Sequence, residues 1–393
     1  MNIYAYHLGG EWLKLDGICE DWFEILWTRR FFKGDDFTIT VPPTETNIKR
    51  FFEGQIVELV DPDNICDVSE YAGIITSVSI VSGANSKLTI SGKSFDGMLE
   101  RRVLSAWSIY GTDTIMTVLR RNAGDMAIES RRFIGTTFVS DTDNDPIAPS
   151  LAQLQFKKLS DYITTVGQEL GWGLQSAIRH NYYDADTDSI LPPHIIITGR
   201  YSVDRSVNQD VNKHVVFSDE YENATDFERN YNEGGAVTAS VVGSPRTYDE
   251  GTRKDIDRYV GYFDKGSTSY NRIEKYQKIT PVTQVEYRNL GQEAWAVLNY
   301  DETVAEAQKL AKNVYTEPTD YFGCTILLGK NWNSKAKLGD IVTAQNTRWN
   351  MSADKMLTEV QEYYGVDSER ITATLGEASK TLLEIINSKQ NER

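Results

Sequence analysis

G-Q-I-V-E-L-V at Gly54–Val60, Y-A-G-I-I-T-S-V-S-I-V at Tyr71–Val81 and K-L-T-I-S-G at Lys87–Gly92 read as the strands of one β-meander, and the chain repeats the pattern near its end. The second copy runs G-D-I-V-T-A-Q at Gly339–Gln345, K-M-L-T-E-V-Q-E-Y-Y at Lys355–Tyr364 and R-I-T-A-T-L-G at Arg370–Gly376. The opening glycine precedes the closing one by 38 residues in the first copy (54 to 92) and by 37 in the second (339 to 376). A chain with two similar small barrels can build a ring of twice the symmetry of its oligomer. The plainer reading is that a glycine-polar turn entering a strand recurs in many unrelated barrels.

At 393 residues the chain has room for two to four domains of about 100–200 residues each. Its net charge is −16 and its pI about 4.8, so a surface built to grip phosphates is excluded: nucleic-acid binders concentrate Lys and Arg to displace counterions. DNA meeting this protein would be repelled. No apolar run approaches the roughly 20 residues that span a bilayer, and M-N-I-Y-A-Y-H-L lacks the basic start and apolar core of a signal peptide, so synthesis in the cytoplasm without stable membrane insertion is expected. Cys19, Cys66 and Cys324 are too far apart for a zinc knuckle or a disulfide framework and read as buried small apolar residues. The wealth of Tyr, Trp and Phe suits small barrels and subunit interfaces.

Along the chain, Phe37–Val41 alternates as a strand until Pro42-Pro43, and Thr44–Phe52 reads as a short helix or turn. Phe95, Met98, Leu99 and Val103 at helical spacing predict a short helix leaving the first meander, and Thr112 or Asp113 is placed to cap another through Leu119. Asp141–Pro149 reads as a loop. Leu159, Tyr162, Ile163, Val166 and Leu170 share one helical face before the stop Gly171-Trp172-Gly173 and the strand Leu174–Ile178. His194–Gly199, Val215–Ser218, Ala236–Gly243, Tyr259–Phe263, Arg272–Ile279 and Val282–Tyr287 are strand-like. Asp301–Tyr315 is the clearest helix, with Val304, Ala307, Leu310, Ala311 and Val314 as its apolar stripe.

With the meanders placed, the chain resembles the hub proteins at the tail tips and baseplates of long-tailed bacteriophages, including siphovirus tail proteins and those of phage-tail-like particles. Three blocks carry the likeness: Gly54–Leu104, with Y-A-G-I-I leading to G-K-S-F-D-G-M-L-E-R-R-V-L; G-R-Y-S-V-D-R-S at Gly199–Ser206 with V-V-F-S-D-E-Y-E-N and G-G-A-V-T-A-S-V-V-G through Gly243; and the helix plus meander from Asp301 to Gly376. Each is a loose pattern, and their order and spacing carry the identification. The resemblance implies a mixed, β-rich α+β fold with two similar small tube-type β-barrels and two α/β accessory domains. Residues 1–104 would form the first barrel, 105–198 an accessory domain, 199–244 with 320–376 a discontinuous second barrel, 245–319 an inserted accessory domain and 377–393 a C-terminal helix or tail. It further implies a homotrimer whose barrels alternate around a channel to meet a six-fold tail tube. Many relatives carry a peptidoglycan-cleaving domain after the hub region, whereas this sequence ends 17 residues after Gly376 (376 to 393), where no such domain fits.

Apparent catalytic motifs dissolve on inspection. Gly92-Lys93-Ser94 mimics the end of a phosphate-binding P-loop, but Lys87 stands where its first glycine belongs, and Asp96 stands where a G-x-S-x-G elbow needs its second glycine. Asp141, Asp143 and Asp145, and Asp184, Asp186 and Asp188, alternate as calcium loops do. An EF-hand would need glycine at its sixth position and glutamate at its twelfth, and these positions hold Pro146 and Ala152, or Ser189 and Ile195. His7, His180, His194 and His214 show no metal-ligand spacing. A glycosidase needs only two carboxylates brought together by folding, so the 57 acidic residues leave that reading open. The doublets Arg29-Arg30, Arg101-Arg102, Arg120-Arg121 and Arg131-Arg132 would suit carboxylates of a neighbouring subunit, or equally local ion pairs.

The reading is thus a structural hub at the virion tail tip or baseplate, with no catalytic, cofactor-binding or metal residue assigned and no cofactor. Its expected partners are two further copies of itself, the tail tube or distal tail ring protein, a distal fibre, spike or receptor-binding protein, and a tape-measure protein as a further candidate. DNA would pass the lumen without specific binding. The competing reading is a tail-associated cell-wall hydrolase or a glycan-binding adsorption protein. Leu382, Leu383, Ile385 and Ile386 in Ala378–Ser388 predict a short amphipathic helix that docks on a neighbouring subunit or the next distal protein, or packs back on its own barrel.

Overall fold

The computed structural model describes the chain apart from residues 63–65, 106–112, 140–144, 149–156, 185–187, 244–246, 250–253, 257–259, 265, 267–269, 271, 280–282, 288–293, 299, 317, 328–331, 334–335 and 377–393. The expected C-terminal helix at 378–388, and Asp141, Asp143 and Asp186, lie outside the described residues. The chain divides into two compact units, one of Met1–Glu228 and Phe322–Ala378, the other centred on Arg229–Tyr321.

In the first unit the strands are β1 (Asn2–Leu8), β2 (Leu13–Cys19), β3 (Glu24–Arg30), β4 (Asp36–Val41), β5 (Ile56–Val60), β6 (Val68–Ser69), β7 (Ala72–Val81) and β8 (Lys87–Ser94), with helix α1 (Glu45–Arg50) before β5. Helix α1 starts where a side-chain cap is available, the Thr44 hydroxyl accepting the Asn47 N–H at 3.1 Å. Phe95, Met98 and Leu99 are buried around a short 3-10 turn, Gly97–Arg101, while Val103 is exposed. Helix α2 (Ile115–Ala123) is capped by Thr114, one residue beyond the expected Asp113, while the other expected cap, Thr112, lies outside the described residues. Next come β9 (Thr136–Val139), α3 (Leu159–Leu170), β10 (Trp172–Arg179), β11 (Tyr182–Asp184), β12 (Ser189–Leu191) and β13 (His194–Tyr201). Leu159, Tyr162, Ile163 and Val166 bury the expected face of α3, and Gly171 ends it at φ +63. A sheet β6-β10-β13-β9 backs that face, and its core is continuous with Tyr6, Leu13, Ile56 and Ala72 of the first meander region.

Strand β14 (Val216–Ser218) and β15 (Ala224–Asn232) follow. The second unit contributes β16 (Ala239–Gly243), β17 (Thr247–Asp249), β18 (Lys254–Ile256), β19 (Val260–Asp264), β20 (Glu274–Lys278), β21 (Thr283–Tyr287), β22 (Ala294–Leu298) and α4 (Tyr300–Val314). There β16 lies between β19 and β20, and Ala307 and Ala311 of α4 pack with Val242 and Ile279. The chain returns to the first unit at Phe322, within β23 (Thr319–Ile326), and continues with β24 (Ile341–Asn346), β25 (Met351–Gly365) and β26 (Glu369–Leu375).

The two meanders are copies at the level of strand order. One sheet path runs β15-β23-β26-β25-β3-β4-β8-β7-β5-β1-β2, with β24 joining β25 and β14 joining β24. The neighbours β3-β4-β8-β7-β5-β1 are therefore matched by β15-β23-β26-β25-β24-β14. Both meanders are antiparallel and both break register at one place, between Ile75 and Ser77 against β8 and between Leu357 and Glu359 against β26. The residue bulged out in each is a threonine, and its hydroxyl donates to the neighbouring strand in the same way, Thr76 to Ser91 O at 3.4 Å and Thr358 to Thr374 O at 3.3 Å. Gly54 and Gly339 open the copies at φ +87 and +86, donating to Ile75 O at 2.8 Å and Leu357 O at 2.7 Å. The copies differ at their last strand, for β1 lies antiparallel to β5 whereas β14 lies parallel to β24.

One detail of the sequence alignment shifts. Gly92 faces Ile75 as Leu375 faces Leu357, so the counterpart of Gly92 is Leu375 and Gly376 lies one position beyond. Gly92 is required by close approach: a Cβ there would meet the Phe37 ring and Ile74 O at 2.2 Å. Phe37 itself faces Gly92 as Phe322 faces Leu375, which equates β4 with β23.

Candidate functional site

The distinctive construction is the seam where the first repeat meets the second. Strand β3 pairs antiparallel with the distal half of β25, from Arg30 opposite Glu359 to Glu24 opposite Gly365, so one sheet passes from repeat to repeat. Arg30 fixes the register, its Nε donating to Glu359 at 2.7 Å and its Nη1 to Asp36 at 2.6 Å. Beneath the seam, Glu362 is fully buried and accepts from Tyr71 Oη at 2.8 Å, from Trp332 Nε1 at 3.2 Å and from Tyr364 Oη. A buried carboxylate persists only when hydrogen-bonded in this way. Burial and the adjacent Glu362 charge push the Tyr71 phenol well above its ordinary range, so it is a permanent donor here.

Arg29 is 4% exposed, pairs with Glu70 and lies over the Tyr71 ring at 5.0 Å. Burial opposes the Glu70 charge, but the Arg29 guanidinium outweighs it and holds the carboxyl below its usual range. A cavity of about 100 Å3 opens beside this cluster, lined by Arg29, Asp35, Glu70, Asp96, Arg200 and Trp332 among others. Desolvation, then the neighbouring Asp96, pushes the Asp35 carboxyl up to about 7. On the second repeat, Asp340 is buried and receives Arg200 Nη2 at 2.5 Å and Arg205 Nε at 3.0 Å. The block Gly199–Ser206 thus supplies the two cations that clamp the opening turn of the second meander, a role its sequence did not disclose.

The residues weighed as reactive take structural places. Gly92-Lys93-Ser94 lies inside β8, with Lys93 Nζ on Glu100 at 2.7 Å and Ser94 Oγ accepting the Asp35 N–H at 2.7 Å. His180 Nε2 meets the buried Glu58 at 2.8 Å, and this hydrogen bond holds the imidazole above its ordinary range. His194 is shifted the other way by burial. Asp188 accepts from Tyr183 Oη at 2.6 Å in a turn of positive φ. Among the described residues, no group of three or more His, Cys, Asp and Glu is placed to hold a metal ion. Cys19 and Cys324 are buried as expected, whereas Cys66 is exposed.

Most arginines of the doublets find partners inside the chain. Arg29 and Arg30 are engaged at the seam, Arg120 forks onto Asp125 at 2.8 and 2.6 Å, and Arg121 pairs with Asp113. Arg102 covers the Phe133 ring at 4.4 Å, and Arg131 and Arg132 donate to the carbonyls of Val103 and Ala127. No helix among the described residues is long and apolar enough to cross a membrane.

The chain is β-rich, and its repeated meanders join edge to edge. The family model for Siphovirus ReqiPepy6 Gp37-like proteins matches residues 10–377. The chain belongs to that family. Its fold is similar to that of a tail protein from Neisseria meningitidis MC58, at 12% identity and a TM-score of 0.55, over 96% of both chains. A 43 kDa tail protein of prophage MuSo2 from Shewanella oneidensis is similar at 9% identity and a TM-score of 0.56, over 95% of this chain and 98% of that one. A chain of the phage P2 baseplate in its activated conformation with Ca matches at 10% identity and a TM-score of 0.51, over 96% of this chain and all of that one. Comparison with curated proteins returned no match.

Proposed function

We propose that this chain is the hub of a tail tip or baseplate: a trimeric adaptor that joins a six-fold tail tube to distal fibre or spike components and lines an axial passage. The observation that carries the reading is the repeated strand path, with its shared threonine bulge and opening glycine, joined through the seam of β3 on β25. Two equivalent units in one chain let three copies present six similar edges, so a three-fold component meets a six-fold ring without mismatch. In this reading the repeats are two tube-type barrels, the first within 1–104 and the second within 199–244 and 320–376. The segments 105–198 and 245–319 are accessory domains facing neighbouring tail parts. The work is mechanical and electrostatic. The net charge of −16 keeps a polyanion moving through the passage by repulsion instead of holding it.

Quantitative mass spectrometry of purified particles tests this through stoichiometry. The hub reading expects three copies of this chain for each six-membered ring of the tube protein. A six-to-six ratio, or absence from purified tails, contradicts it.

A further inference from the structure

Two of the arginine doublets, Arg101-Arg102 and Arg131-Arg132, meet Lys157 and Lys158 on one surface. Arg102 Nε donates to Arg131 O at 2.8 Å, Arg131 Nη2 donates to Val103 O, and Val103 forms an isolated antiparallel bridge with Lys158. Leu104 N donates to Lys157 O at 2.9 Å, and Arg132 Nε to Ala127 O at 2.8 Å. Carbonyls and the Phe133 ring hold these arginines, and no acid does. Among the described residues no carboxylate forms an ion pair with any of the six cations: Glu100 is taken by Lys93, Asp113 by Arg121 and Asp125 by Arg120. Glu129 and Asp161, close by in sequence, pair with none of them. The adjoining stretches 106–112 and 149–156 contain neither Asp nor Glu. Burial, then the charges of Arg131 and Arg101, hold the Arg102 guanidinium below its ordinary range, as befits cations that crowd one another.

Apolar side chains are set among the cations. Ile128, which opens the turn to Arg131, is 69% exposed, Ile134 is 61% exposed, and Val103 is exposed beside Arg102. Arginine among aliphatic side chains is the composition of a protein–protein contact. The charge of the whole chain then selects the partner. These six cations sit on a protein of net charge −16, and in physiological salt a charge is felt over about 8 Å. A DNA duplex or an anionic bilayer extends far past that reach and would meet the acidic surroundings, whereas a single polypeptide segment touches the patch alone. Exposed isoleucines find no complement in a phosphate backbone, which is bound through charge and hydrogen bonds.

We propose that this patch binds an acidic segment of a second, different protein, its carboxylates on the arginine and lysine heads and its apolar side chains on Val103, Ile128 and Ile134. A planar guanidinium suits that partner because it offers a carboxylate two parallel hydrogen bonds. The inference deepens the hub reading by giving the accessory segment 105–198 a partner of stated chemistry, and it rests on that reading only in taking the partner to be another tail component.

Photo-cross-linking in assembled particles tests it. The photoreactive residue p-benzoylphenylalanine is placed at Ile128 of the full chain, intact particles are irradiated, and the linked peptides are sequenced by mass spectrometry. The expected link is to a segment of a different tail protein in which Asp and Glu outnumber Lys and Arg. Arg101→Glu with Lys158→Glu, two exposed positions, is expected to lower the yield roughly tenfold or more while leaving the melting curve of the chain unchanged, and Arg101→Lys with Lys158→Arg to preserve it. A charge-reversed chain that melts as the parent does but no longer enters particles counts for the proposal as well. Links to lipid, to DNA or to a neutral or basic segment, no link at all, or a yield indifferent to charge reversal overturn it. Should those results come from particles with three copies of this chain for each ring of the tube, the hub reading stands without the proposal. The expected link in particles holding six copies would support the proposal and count against the hub reading.

Discussion

Tyr71, immediately before β7 in the first meander, donates its hydroxyl to Glu362 in the second repeat at 2.8 Å, across 291 residues of sequence. This bond lies beneath the pairing of β3 with β25, and it shows how a sheet can cross from repeat to repeat without losing its core. The ladder supplies direction, and a buried carboxylate with three donors supplies position.

Removing that acceptor should loosen the seam more than any single donor does. Glu362→Ala leaves the Tyr71, Trp332 and Tyr364 donors without their partner, and at about 1–3 kcal/mol per unsatisfied buried group the net loss is expected near 3 kcal/mol. Tyr71→Phe should cost about 1 kcal/mol. Chemical denaturation measures both. The double variant is expected to lose less than the sum, since the two changes remove one shared bond.

The two opening glycines make a controlled comparison, because they share a backbone conformation and differ in surroundings. Gly54 has open space where a Cβ would go, whereas at Gly339 the Cβ would meet the Phe31 ring at 2.3 Å. Alanine at either position carries the left-handed strain of about 1–2 kcal/mol. Gly339→Ala adds the displacement of a buried ring, about 1–3 kcal/mol more. Thermal melts should therefore rank the parent above Gly54→Ala and Gly54→Ala above Gly339→Ala. Equal losses would mean that Phe31 moves freely.

Stability should fall as pH rises from about 4 to about 7. The Asp35 carboxyl is pushed up to about 7 in the folded chain from 3.8, so across that interval the folded state holds a proton that the unfolded state has released. Its contribution is complete below 3.8 and lost as pH rises through the folded value. His180, raised by its hydrogen bond to Glu58, acts in the same sense above its ordinary 6.5. Asp35→Asn, which mimics the protonated form, should flatten the slope of stability against pH without abolishing it. An unchanged slope would place the titration elsewhere.

Much of this architecture was legible in the sequence wherever a strand alternates and its turn residue is a glycine. Gly54, Gly339 and the apolar runs after them announce the meanders, and the stripe Val304–Val314 announces α4. Strand β15 was not legible: in A-T-D-F-E-R-N-Y-N, Asp226 adopts φ +50 and interrupts the alternation, so Ala224 and Phe227 are buried three positions apart. The closing glycines misaligned by one because Gly92 answers a ring that Leu375 accommodates in the other copy. The seam itself could not be read, because Tyr71, Arg29, Trp332 and Glu362 are joined by tertiary packing and no local spacing links them. The clamp of Arg200 and Arg205 on Asp340 escaped notice for the same reason.

The most direct test of the account is a cryo-electron microscopy reconstruction of the tail tip of the intact particle, without imposed symmetry, at a resolution that separates strands. The account predicts three copies of this chain around the tail axis, with β3-β4-β8-β7-β5 and β15-β23-β26-β25-β24 alternating as six similar units around an open channel. Six copies, or three copies in which only one of the two repeats faces the axis, would contradict it.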